Sequence, residues 1–199
     1  IPISPAQRTF DQAGLHFDPH KAANIPPGKR YVFYPAQFWA HKNHRLIVDA
    51  LALLRKKDGH EIYAVFCGSD CGNLETVLDM ARDAGVEDLV KYVGFVPDEQ
   101  MSQYYKQSLA LVMPSYFGPT NMPPFEAFAL NTPVIVSDLP GIRDQVGEAA
   151  MLVSPDKPES LRDAILRLVK EPQLRDTLAE KGKSRLQEFS DEDRLSTLR

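Results

Sequence analysis

Two stretches of this sequence combine residue types able to hold an anion and a vicinal diol. The first is Pro35-Ala-Gln-Phe-Trp-Ala-His-Lys-Asn-His44, which follows a β-rich run and precedes a helical pattern. A lysine at the carboxyl end of a strand, just ahead of a helix, can meet an anion that also faces the helix N–H groups. The competing reading is a solvated polar turn, because His41, Lys42, Asn43 and His44 are all common surface types. The second stretch runs from Pro114 to Glu126, Pro-Ser-Tyr-Phe-Gly-Pro-Thr-Asn-Met-Pro-Pro-Phe-Glu. Pro123 and Pro124 suit the first turn of a helix, which leaves the N–H groups of Thr120, Asn121 and Met122 free for phosphate oxygens. Glu126 near that helix start can accept hydrogen bonds from a diol such as ribose; it can equally be a carboxylate favoured by the helix dipole.

These loops need a scaffold, and the hydrophobic pattern supplies one. Strand-like runs occur at Arg30 to Phe38, Glu61 to Cys67, Val90 to Phe95, Leu109 to Met113, Pro133 to Ser137 and Met151 to Val153. Helical spacing separates them, as in Leu46, Ile47, Ala50, Leu51 and Leu54, or Leu161, Ala164, Ile165, Leu168 and Val169. The alternation predicts an α/β fold, a Rossmann-like doubly wound parallel sheet of about six strands with helices on both faces. Such sheets bind ligands beyond the carboxyl ends of their strands, where the strand order reverses. Residues 1–28, rich in proline and glycine, read as a linker or irregular lead-in. The domain is expected over 29–190, and 191–199 as the start of a C-terminal helix.

Bulk properties narrow the function classes. A net charge of -4 argues against nucleic acid as a partner, since a polyanion usually needs a basic face. No apolar run approaches the roughly 20 residues of a membrane-spanning helix, and Ile1-Pro-Ile-Ser-Pro lacks the build of a signal peptide. Cys67 and Cys71 cannot complete a structural zinc site alone and read as reduced thiols. His41 and His44 are a poor metal pair. Asp191-Glu-Asp193 spells a metal-holding Asp-x-Asp, but Ser190 ahead of it makes a helix N-terminus the better reading. No Gly-x-Gly-x-x-Gly follows the first strand, which disfavours a dinucleotide-dependent dehydrogenase.

The segment 114–138, ending Phe-Glu-Ala-Phe-Ala-Leu-Asn-Thr-Pro-Val-Ile-Val-Ser-Asp, resembles the donor-site segment of retaining glycosyltransferases of the large family four, which have the GT-B fold. The Lys42 loop, Cys-Gly-Ser (67–69), Tyr-Val-Gly-Phe-Val-Pro (92–97) and Leu-Val-Ser-Pro (152–155) fall in that family's order, and the resemblance covers about 30–188. It implies one lobe of two, the C-terminal lobe that holds a nucleotide-sugar donor. The N-terminal acceptor lobe has no counterpart in these residues. Lys42 matches the lysine that neutralises the donor diphosphate, while Gln37 stands where an arginine is common. Glu126 matches the second glutamate of Glu-x7-Glu, which binds ribose. Counting back eight positions gives Gly118, so the first carboxylate is missing, and Thr120 or Asn121 would make neutral sugar contacts instead. Gly94, Phe95 and Val96 match the region bordering the base. Asp144 matches a position that is often acidic, but reads better as a helix-surface residue.

The implied reaction transfers a sugar to an acceptor hydroxyl with retention of configuration, in polysaccharide or glycoconjugate synthesis, with Lys42 and Glu126 central. The acceptor is a carbohydrate or a lipid-linked molecule. No cofactor and no metal is implied. The expected location is the cytoplasm, with a peripheral place at the inner membrane face open to the full-length protein. The alternatives are a non-catalytic nucleotide-sugar-binding module and an epimerase of the same architecture.

Overall fold

A computed structural model of the chain describes residues 17–117 and 122–197. Its central strand, β1 (Arg30–Pro35), explains the layering. Alternate side chains of a strand point to opposite faces. On one face the Tyr31 hydroxyl donates to the Tyr104 carbonyl at 2.9 Å, and Phe33 stacks on Tyr104 with ring centroids 5.4 Å apart. Tyr104 belongs to α4 (Asp98–Gln107). On the other face Tyr34 lies 4.7 Å from the ring of His44, the first residue of α2 (His44–Asp58). Both faces are therefore covered, and the strand is apolar on both.

The same holds for β2 (Ile62–Cys67), β4 (Ala110–Met113) and β5 (Val134–Ser137), each buried at every position, as a doubly covered parallel sheet requires. With β3 (Val90–Tyr92) and β6 (Met151–Val153) they form six parallel strands in the order β3-β2-β1-β4-β5-β6. The order reverses between β1 and β4, so the loops after these two strands flank the crevice. The remaining helices are α1 (Pro19–Ala22), α3 (Leu74–Asp83), α5 (Met122–Ala129), α6 (Pro140–Val146), α7 (Pro158–Lys170) and α8 (Pro172–Thr197). Helix α2 packs against α3 and α7, and α5 against α8. No helix of the described residues is long and apolar enough to cross a membrane.

Three expectations change. The lead-in is not irregular from residue 18 onward: Asp18 caps α1 by accepting the His20 N–H at 3.0 Å, with Pro19 in the first turn. Ala23 and Ile25 then enter the core. Residues 1–16 lie outside the described part. Second, 191–199 does not start a helix, because α8 runs unbroken from Pro172 to Thr197. Ser190 and its acidic followers signal an N-terminus only where the preceding chain is not already helical. Gly182 is the only glycine on the way, and a single interior glycine costs about 1 kcal/mol, too little to break the helix. It packs against Phe128, whose ring would lie 2.7 Å from an added Cβ. Third, β3 stops at Tyr92 rather than Phe95; Val93 N–H still donates to the Phe66 carbonyl (3.0 Å) and the Gly94 carbonyl accepts from Gly68 N–H (3.0 Å), but Gly94, at φ 70°, turns the chain away.

Candidate donor site

The loop after β1 is held from below. Gly68, at φ +138°, passes so close that a Cβ there would sit 2.5 Å from the Ala36 carbonyl oxygen, so only glycine fits. Phe38 N–H donates to the Ser69 carbonyl (3.0 Å), and the buried Phe38 ring stacks on His44 at 4.2 Å. Above this floor lies Lys42, which is half-buried. Among the described residues its ammonium has no carboxylate and no hydrogen-bond partner. Burial lowers its pKa from the ordinary lysine value. A cation taken partly out of water without a counter-charge is costly unless an anion joins it.

Gln37 is exposed, and its Oε1 accepts the Trp39 indole N–H at 3.0 Å. Indole can only donate, so the amide oxygen must face it and the NH2 is the end left for a ligand. Burial, and then the neighbouring Lys42, lowers the pKa of His41. Its ring stacks on Phe117 at 4.3 Å, and its carbonyl accepts the Tyr116 N–H at 2.9 Å. The loops after β1 and β4 are thus joined.

Glu126 reaches the site from the other face of the sheet. The Tyr105 hydroxyl donates to its Oε2 at 2.7 Å. Tyr105 is fully buried and meets Phe33 edge-on at 5.0 Å, so the donor cannot wander. Burial, and then the nearby Glu126 carboxylate, pushes the Cys67 thiol at the end of β2 up to about 12. A fixed carboxylate with a single partner among the described residues is a ready acceptor for hydroxyls.

Met122 opens α5, and the two prolines after it carry no N–H. Gly118, Thr120 and Asn121 lie outside the described residues. In the third loop the Gly94 carbonyl is engaged by the Gly68 N–H at 3.0 Å, and Val96 is buried. Phe95, 85% exposed, is the side chain offered outward there. Asp144 is exposed on α6, and its carbonyl takes a bond from Arg185, in keeping with a helix-surface residue. His44 is fully buried, so it does not pair with His41 toward an ion. No group of three or more His, Cys, Asp or Glu converges among the described residues. Sequence reasoning overlooked Tyr34 and Tyr105, quoted Gly68 only as part of Cys-Gly-Ser, and counted the buried Asn43 among surface types. Asn43 left a signal of its own, since asparagine is enriched where a non-glycine residue needs positive φ, here 56°.

Residues 17–185 match the family model described as glycosyl transferases group 1. The O-antigen chain mannosyltransferase B of Escherichia coli is 23% identical over 160 residues, 80% of this chain and 42% of that protein. The O-antigen chain mannosyltransferase RfbU of Salmonella typhimurium is 30% identical over 138 residues, 67% and 37% of the two chains. Among solved structures, sucrose-phosphate synthase from Thermosynechococcus elongatus superposes with TM-score 0.75 at 27% identity, covering 85% of this chain and 43% of that one. The C-terminal domain of a glycosyl transferase group 1 family protein from Francisella tularensis gives TM-score 0.72 at 19% identity, with 85% and 91% covered. The chain spans about two fifths of the length of these curated relatives. With the fold of a GT-B lobe and a family match over most of its length, the chain belongs to the group 1 glycosyl transferases.

Proposed function

We propose that this chain is the donor-binding lobe of a retaining glycosyltransferase that moves a sugar from a nucleoside diphosphate to an acceptor hydroxyl. The observation that carries the reading is Lys42, a half-buried ammonium without a counter-charge among the described residues, beside the strand-order reversal. The donor diphosphate would supply the missing charge. As the bond to the sugar breaks, negative charge grows on the leaving diphosphate, and Lys42 stabilises it from a fixed position. The Gln37 NH2 adds a neutral hydrogen bond, and the Met122 N–H at the start of α5 a further one. Glu126, steadied by Tyr105, accepts the ribose hydroxyls. The exposed Phe95 borders the base. No protein nucleophile is needed for this role.

The relatives' names support synthesis of a polysaccharide or glycoconjugate. The acceptor, a carbohydrate or lipid-linked molecule, would be held by an opposing lobe in a cytoplasmic protein. Calorimetric titration of the chain with uridine, guanosine, thymidine and adenosine diphosphates tests the reading. Micromolar to low-millimolar binding of at least one is expected. Failure of all four to bind would sink it.

A further inference from the structure

Asn43 directly follows Lys42, yet it is only 6% exposed. Its backbone is left-handed, φ 56° and ψ 39°, and turns the chain from the short 3-10 turn Ala40–Lys42 into α2. Its side chain caps no helix. Instead Nδ2 donates one hydrogen to the Pro114 carbonyl at 3.0 Å and the other to the Pro155 carbonyl at 2.9 Å. These carbonyls belong to the loops after β4 and after β6. One amide thereby ties three loops at the carboxyl end of the sheet.

The residue before it is held as well. The Tyr34 hydroxyl donates to the Lys42 carbonyl at 2.9 Å, and with its single proton used it accepts from Ser115 Oγ, also at 2.9 Å. The backbone of Lys42 is therefore anchored at its own carbonyl and at the next residue. An unpaired ammonium would gain hydration by swinging outward, so a loop that keeps it half-buried has to be restrained. Asparagine alone combines the two needs of position 43: tolerance of positive φ and an NH2 that can serve two carbonyls. Glycine satisfies the first only, serine supplies one donor, and an ionised aspartate would turn acceptor oxygens toward two carbonyls.

We propose that Asn43 is a positioning residue of the donor site, its amide clasping three loops so that Lys42 is presented to the donor diphosphate. This rests on the reading of Lys42 as the phosphate contact. Trp39 is the only tryptophan of the chain, half exposed in the same loop, so its fluorescence reports the loop directly. The test is a titration of the whole 199-residue chain with inorganic pyrophosphate, read by Trp39 emission, in a double-mutant cycle of Lys42→Ala and Asn43→Gly. Asn43→Gly alone should weaken pyrophosphate binding by about 5- to 30-fold, the middle of the roughly 2- to 150-fold range of coupling between residues of one network. In the Lys42→Ala background the same change should cost less than about 2-fold, because the group that Asn43 positions is gone.

Equal losses in both backgrounds, or no loss from Asn43→Gly alone, would overturn the inference while leaving the donor reading intact. No pyrophosphate response in the unaltered chain, or none lost on Lys42→Ala, overturns the donor reading itself and the inference with it. If Asn43→Gly does not fold, Asn43→Ser enters the same cycle, with an intermediate loss expected to vanish when Lys42 is absent. A loss that persists refutes the positioning role.

Discussion

Replacing His44 by phenylalanine should flatten the acid side of the stability profile. The His44 ring is fully buried, stacked on Phe38 at 4.2 Å, 4.7 Å from Tyr34 and edge-on to Phe66 at 5.1 Å. Neither ring nitrogen makes a well-formed hydrogen bond among the described residues, the Ala36 backbone offering only a weak one. Burial, and then the charge of Lys42, drives the pKa down to about 3, against a smaller opposing contribution from the Ala36 backbone. In the unfolded chain the value returns to about 6.5. Between these limits the unfolded state binds a proton that the fold refuses. The stabilisation is thus fully present above pH 6.5 or so and is lost as pH falls toward 3. Linkage gives a loss of about 2 kcal/mol by pH 5 and about 3 kcal/mol by pH 4 from this one residue. Phenylalanine keeps the aromatic stack and cannot be protonated. At pH 7 two effects compete: relief of unsatisfied nitrogens, worth roughly 1–3 kcal/mol, and the slightly larger ring, which costs about as much. The pH dependence escapes that ambiguity. Urea unfolding of both proteins at pH 7 and pH 5 should show the difference in stability moving by about 2 kcal/mol in favour of His44→Phe. Parallel profiles would refute the assignment of a neutral buried His44.

At the site itself, Lys42→Ala should weaken nucleoside diphosphate binding about 10- to 150-fold, the worth of a charge-assisted hydrogen bond of roughly 1.5–3 kcal/mol; unchanged affinity in calorimetry would remove Lys42 from the site. Because burial lowers the pKa of Lys42, its charge is lost as pH rises through a value below the usual lysine range. Binding should therefore decline on the alkaline side, and Lys42→Arg should keep it flat; an identical decline in both excludes Lys42 as the titrating group. Tyr105→Phe should raise the donor dissociation constant about 3- to 10-fold by freeing Glu126, an effect on the order of 1 kcal/mol; Glu126→Gln in the same titration should cost at least as much. Gly68→Ala should lower stability by about 2–4 kcal/mol, from overpacking against the Ala36 carbonyl together with a strained φ, and a denaturation midpoint within error of the parent would contradict the close approach.

The sheet was legible because its strands are short apolar runs between turn residues. Met151 to Val153 reads directly as β6, and Leu109 to Met113 as β4 to within one residue. Lys42 and Glu126 lie on the segments that follow the two strands at the order reversal, but residue types alone left each with a competing reading, and the family resemblance chose between them. What escaped is set by tertiary distance. Tyr105 and Glu126 are 21 positions apart on different helices, and no spacing rule links them. Asn43 resembles any polar turn residue until its two carbonyl partners, 71 and 112 positions away, are in place. The capping reading of Ser190 failed because a local signal cannot tell whether the chain before it is already helical. The polar loops that carry function obey the fold less than the strands do, so their internal bonds are the last feature a sequence discloses.

The two central side chains are held by different hydrogen bonds, although the loops that carry them are joined through Pro114, Ser115 and Tyr116. Lys42 is fixed through Tyr34, Asn43 and the α2 face of β1; Glu126 is fixed through Tyr105 and the α4 face. Neighbouring residues of β1, Phe33 and Tyr34, carry these opposite supports, so a single strand sets the relation between them. A donor bridging both would meet a preformed distance between phosphate and ribose contacts, without first ordering either. The exposed aromatics extend the same logic. Trp39, Tyr92, Phe95, Tyr116 and Phe117 are the exposed large hydrophobic side chains of the described residues, and all lie on β3 or the loops after β1, β3 and β4. Apolar exposure gathered at the carboxyl end of a sheet marks a face that meets a partner surface or ligand. In the proposed enzyme that face would be the one turned to an acceptor lobe, so the groups proposed to bind the donor and those that would meet a second lobe would share one set of loops.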